Sequence, residues 1–82
     1  MIKLRLLFFS VLRDLTGAAE MEFACEAGAT VRELLALLYA RWPDLAKWDA
    51  SLLIAVDQAY VKRDEVLHDG AEVAIMPPVQ GG

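Results

Sequence analysis

Over residues 2–9, Ile2, Leu4, Leu6 and Phe8 alternate with Lys3, Arg5, Leu7 and Phe9. A period of two belongs to a strand, and the first set is expected to face the core. The second set begins charged and ends apolar, so the outer face of this strand changes character along its length. Residues 10–18, with Asp14, Thr16 and Gly17, suit a turn or short helical loop. Alternation returns over residues 20–26, placing Met21, Phe23 and Cys25 inward and Glu20, Glu22 and Glu26 outward. Two strands this close in sequence are expected to pair antiparallel.

Gly28 marks a turn, and Thr30-Val31-Arg32-Glu33 follows with the spacing of a capping box, in which two side chains satisfy amides at a helix start. Val31, Leu34, Leu35, Leu38 and Trp42 then recur at spacings of three and four, the apolar face of a helix. Pro43 disfavours helix in the residue before it, so the helix is expected to stop near Arg41. Residues 43–51 look irregular, with room for a single helical turn and with Trp48 packed on the core. Leu52 to Val56 is a continuous apolar run, as in a strand covered on both faces. Asp57-Gln58 is a turn, residues 59–62 a short return strand, Asp69-Gly70 another turn, and Glu72–Met76 a last strand. No internal repeat or linker interrupts residues 1–82. The economical way to bury these faces is a single α+β domain, a four- or five-stranded mixed sheet packed on one main helix.

Composition narrows the function. An 82-residue chain that is 57% hydrophobic has too little interior for all its apolar side chains. Some must stay exposed, and contiguous exposed patches mark partner surfaces. A net charge of -4, from 12 acidic and 8 basic residues, argues against a nucleic-acid partner. One Cys and one His, Cys25 and His68, assemble neither a disulfide framework nor a Cys/His zinc site. The longest apolar run is too short to span a bilayer, so no membrane role is expected. Lys3 and Arg5 interrupt the first nine residues, which do not resemble a signal peptide, and the expected location is cytoplasmic.

Ordinary catalytic chemistry finds little support. Cys25 falls on the inward side of its strand, where a thiol has a raised pKa and is inert. His68, in a Leu67-His68-Asp69-Gly70 turn, is most simply a solvated loop residue. Glu20, Glu22 and Glu26 at period two make a solvated strand face. Gly17, Gly28 and Gly70 are isolated turn glycines and form no phosphate-binding loop.

The last six residues, Pro77-Pro78-Val79-Gln80-Gly81-Gly82, differ in kind. Neither proline has an amide hydrogen for a sheet ladder, so the strand stops at Met76. Two prolines also favour an extended chain, and six extended residues reach roughly 20 Å. Gly81 and Gly82 make the end thin enough to enter a narrow channel in another protein. What it would carry there is the α-carboxylate of Gly82, ionised at neutral pH and a poor electrophile until activated. A frayed terminus is the alternative reading.

Several motifs resemble the small, sulfur-carrier subunits of molybdopterin synthase. Foremost is the stretch from Leu67-His68-Asp69-Gly70 through Glu72-Val73-Ala74-Ile75-Met76 to Pro77-Pro78-Val79-Gln80-Gly81-Gly82. Leu7-Phe8-Phe9-Ser10-Val11-Leu12-Arg13-Asp14, Thr30-Val31-Arg32-Glu33-Leu34-Leu35 with Trp42-Pro43, and Ala55-Val56-Asp57-Gln58 extend the likeness over the whole chain. Asp57 stands where that family usually has Asn, Ala71 where Asp is usual, and Gln80 where Ser is common. The resemblance implies a β-grasp (ubiquitin-like) fold, which the order of elements also matches, and a sulfur carrier that is not catalytic alone. It implies that an E1-like activating enzyme adenylates Gly82, with Gly81 beside it, using ATP and Mg²⁺ that the carrier itself does not bind. A sulfur donor system then makes the thiocarboxylate. The tail delivers that sulfur to cyclic pyranopterin monophosphate in the large subunit of a heterotetrameric synthase.

Leu7, Phe9, Val11, Met76, Pro77, Pro78, Val79 and Gln80 are the residues expected to touch these partners. Packing of Leu7 and Phe9 under a loop is the competing expectation for those two. A thiamine-pathway sulfur carrier, a ubiquitin-like protein modifier and a plain interaction domain with an idle tail remain the alternative functions.

Overall fold

The computed structural model describes residues 1–78. Along the chain run β1 (Ile2–Phe8), α1 (Val11–Thr16), β2 (Glu20–Cys25), α2 (Val31–Arg41) and a 3-10 segment (Pro43–Ser51). They are followed by β3 (Leu53–Val56), β4 (Ala59–Tyr60) and β5 (Glu72–Met76). The strands form one mixed sheet in the order β2-β1-β5-β3-β4.

Register follows from burial. β1 and β2 pair antiparallel with Leu4 opposite Phe23 and Leu6 opposite Met21. A one-residue slip would turn the whole apolar set to the wrong face. β5 lies between the two outer pairs, parallel to β1 (Leu6 with Val73, Phe8 with Ile75) and antiparallel to β3 (Ile54 with Ile75, Val56 with Val73). Central placement buries Val73 and Ile75 completely. The buried residues of both helices and of the 3-10 segment (Leu12, Val31, Leu34, Leu35, Leu38 and Leu45) join this one sheet face in a single core. The arrangement is the β-grasp that the order of elements pointed to.

The α2 start is built as its sequence predicted. The Glu33 amide donates to Thr30 Oγ1 at 3.3 Å, and the Thr30 amide donates to Glu33 Oε1 at 2.9 Å. The Thr30 amide, and then the Thr30 hydroxyl, which donates to the same Oε1 at 3.1 Å, hold the Glu33 carboxyl below its usual pKa. At the other end the Trp42 amide reaches Leu38 O at 2.7 Å, and Pro43 then opens the 3-10 segment. Trp42 closes that corner of the core, its ring edge-on to Phe8 at 6.0 Å and capped by the Arg41 guanidinium at 4.5 Å.

One local expectation is met and two are corrected. Residues 10–18 contain a six-residue helix, α1, ended by Gly17 at a φ of 78° that strongly favours glycine. The stretch expected to be irregular is 3-10 over all nine residues. Leu45 is buried in it, Trp48 packs on the core, and Asp49 takes hydrogen bonds from Tyr39 Oη and from Arg63 Nη1, the latter at 2.9 Å. That three-way contact ties α2, the 3-10 segment and the loop after β4 together. Burial and the Asp49 hydrogen bond push the Tyr39 hydroxyl pKa far above its ordinary value.

The second correction concerns the run 52–56. It is not covered on both faces: Leu53 remains 37% exposed, because no described helix crosses the outer side of the sheet. Ala55 on that side is buried between its in-register neighbours, Ala74 and Tyr60, rather than by another layer.

The two contributions to α2 are of different size. Thr30→Ala is expected to cost about 1 kcal/mol by loss of the cap, and Leu38→Ala about 2–5 kcal/mol by opening a cavity under the sheet. Urea denaturation of the two variants would measure both, and equal losses would contradict this division.

Candidate functional site

Because β1 and β5 are parallel, their C-terminal ends leave the sheet at the same edge. Phe9 and Val11 therefore come to lie at the edge where Met76, Pro77 and Pro78 run out of β5. Phe9 is 44% exposed and Val11 37%, while Leu7, Met76, Pro77 and Pro78 are half-buried. For Phe9, packing under a loop is thus set aside. Val79, Gln80, Gly81 and Gly82, the rest of the expected site, lie outside the described residues.

The outer sheet face grades from charged to apolar toward this edge. At its far end are Lys3 and Arg5, with Arg5 paired to Glu20 and in register with Glu22 and Glu72. Toward the tail come Leu7 beside Ala74, and Met76 beside Leu53. Tyr60, 73% exposed, extends the apolar side across β4. Leu53 and Tyr60 belong to this face but were not among the residues the sequence singled out. The signal was present in the period of two: Leu53 and Ala55 alternate with the buried Ile54 and Val56.

Other candidate groups sit elsewhere. Cys25 is buried under the sheet, and burial raises its thiol pKa, with Glu26 and Glu33 adding to the effect. Glu20, Glu22 and Glu26 are exposed. Among the described residues no three His, Cys, Asp or Glu side chains gather as a metal site, and no helix is long and apolar enough to cross a membrane. What the geometry offers is an exposed apolar face that leads to Pro77 and Pro78, where the described residues end.

By its fold the chain is a ubiquitin-like, β-grasp domain. Residues 6–82 match the model of the ThiS family, and the chain belongs to that family. It is 41% identical to the molybdopterin synthase sulfur carrier subunit of Escherichia coli K12, over 96% of this chain and 99% of the relative. A solved Pyrococcus furiosus protein, described as a candidate molybdopterin converting factor, subunit 1, superposes with a TM-score of 0.88. That protein is 33% identical, and the match covers 96% of this chain and all of the other. The same fold, at 22% identity and a TM-score of 0.72, occurs in a Helicobacter pylori complex of subunits 1 and 2 of molybdopterin-converting factor. There the likeness covers 99% of this chain and all of the other.

Asp57, one of the departures from the carrier pattern, has a structural partner that the sequence reading missed. It opens a two-residue turn with Gln58, both at positive φ, between β3 and β4. Its Oδ1 accepts the Glu72 amide at 3.0 Å, and its Oδ2 lies 2.6 Å from His68 Nε2. His68 Nδ1 lies 2.9 Å from the Asp69 carbonyl. Both ring nitrogens thus lie beside acceptor oxygens, an arrangement that favours the doubly protonated imidazolium. His68 is exposed yet held between two partners, and it forms an ion pair with Asp57 when protonated.

The Asp57 contact, and then the Asp69 carbonyl, raise the His68 pKa above its ordinary 6.5. The Glu72 amide, and then His68, hold Asp57 below its ordinary value. A raised histidine adds stability below its unfolded pKa and loses it as pH rises through the folded one. The lowered carboxylate loses its share at the acid end. Thermal denaturation between about pH 6 and pH 8 should show a fall in Tm that is smaller in His68→Gln; equal falls would mean that the pair does not titrate as described.

Proposed function

We propose that the chain is the sulfur carrier of a molybdopterin synthase, with the Gly82 carboxylate as its working group. The observation that carries this reading is the end of β5, where an uncovered apolar face runs into Pro77-Pro78-Val79-Gln80-Gly81-Gly82. Its likeness along nearly the whole chain to a molybdopterin synthase sulfur carrier subunit supplies the cargo. An activating enzyme attacks ATP·Mg²⁺ with the carboxylate, forming an acyl-adenylate and releasing pyrophosphate. Sulfur from a donor system displaces AMP and leaves a thiocarboxylate at Gly82.

The large synthase subunit receives the tail, and the thiocarboxylate sulfur attacks cyclic pyranopterin monophosphate there; hydrolysis of the resulting thioester leaves the sulfur on the pterin and returns Gly82 to its carboxylate. Leu7, Phe9, Val11, Met76, Pro77 and Pro78, with Leu53 and Tyr60 added from the fold, form the docking face. Val79, Gln80 and Gly81 belong to the stretch of tail that the partner receives. The carrier supplies reach, direction and a reactive end, and its partners supply the catalysis.

Mass spectrometry of the chain, incubated with an activating enzyme, ATP and a sulfur donor, should detect replacement of one C-terminal oxygen by sulfur. Unmodified or lysine-conjugated chain alone would refute the carrier reading. Deleting Gly82 should abolish sulfur delivery and leave Tm unchanged. Co-purification with a thiazole-forming enzyme in place of a large synthase subunit would move the carrier to another pathway.

A further inference from the structure

Between β1 and α1 the chain does something an L-residue rarely does. Ser10 has φ 57° and ψ -131°. That is the first central position of a type II′ turn, a conformation dominated by glycine. The turn is closed by hydrogen bonds: Leu12 N to Phe9 O at 3.1 Å, and Arg13 N to Ser10 O at 3.1 Å. Ser10 itself makes no side-chain cap to α1. The strain is therefore not offset by the hydroxyl within that helix start.

The surroundings hold the turn in place. Phe8 before it and Leu12 after it are both buried in the core. Only three residues join them, and the chain must bend sharply between two fixed anchors. The bend turns both intervening apolar side chains, Phe9 and Val11, to solvent. It does so at the edge where β5 runs out, because β1 and β5 are parallel. Backbone strain that a fold keeps, rather than relaxes, is a pointer to function.

We propose that Ser10 is a positioning residue. Its glycine-like backbone fixes Phe9 and Val11 as an apolar ridge beside the tail, against which the partner receiving the tail closes. This rests on the carrier reading above, and the occupant is that same partner, the large synthase subunit, because the ridge is continuous with the face leading to the tail. The ridge gives the partner a rigid contact at the point where a thin peptide departs.

Three forms of the full chain, titrated calorimetrically with the large subunit, test it. Valine is β-branched and strongly resists positive φ, so Ser10→Val should stay folded by circular dichroism but bind about tenfold more weakly. Ser10→Gly can keep the turn without strain. It should restore wild-type affinity and raise Tm by about 4–8 °C. If Ser10→Val binds as wild type does, or if Ser10→Gly binds as weakly as the valine form, the backbone is not the positioning element.

Should the valine form not fold, a Phe9→Ser, Val11→Ser double variant replaces it. It keeps the turn and removes the ridge, and is expected to lose about tenfold in affinity at nearly unchanged Tm. Wild-type affinity in that variant would overturn the proposal. Absence of binding by the wild-type chain would instead defeat the carrier reading on which it rests.

Discussion

The parallel pairing of β1 with β5 is the constraint on which the remaining geometry depends. Antiparallel neighbours would have sent their C-terminal ends to opposite edges of the sheet. Parallel ones send both to the same edge, so the first strand's apolar end and the last strand's exit are brought together. A parallel pair also needs a long crossover. Here the crossover holds the hairpin partner β2, the helix α2 and the β3–β4 pair. The core, the apolar outer face and the root of the tail all follow from that one choice of neighbour.

Much of this was legible in the residues because the signals were local. The Thr30-Glu33 capping box and the spacing of Leu34, Leu35 and Leu38 specify α2 within one or two turns of chain. The alternation at residues 2–8 and 20–25 specifies two strands, and their closeness specifies the hairpin. The tail prolines mark the end of β5 for a reason of covalent structure alone. Local physics suffices in each of these places.

What was not legible is non-local. His68 and Asp57 sit in different loops, and nothing in either turn motif requires their pairing. The same holds for Tyr39, Asp49 and Arg63, which meet only after α2, the 3-10 segment and the chain beyond β4 have packed. The run at residues 52–56 misled for another reason. A continuous apolar stretch fits burial on two sides, yet a small domain has only enough helix to cover one. Leu53 is left exposed by that shortage. The strained Ser10 was invisible because its side chain has no preference for the conformation imposed by its buried neighbours.

The position of β5 has one more consequence, for synthesis in the cell. The strand that occupies the centre of the sheet is the last of the described chain to leave the ribosome. Until it arrives, β1–β2 and β3–β4 are two separate ribbons with no common neighbour, and a pair of isolated ribbons is marginal at best in water. A chain cut short before β5 therefore cannot assemble the sheet or the apolar outer face that depends on it. Formation of the sheet and exposure of its apolar outer face beside Pro77 and Pro78 thus become a single event, which waits for the synthesis of β5.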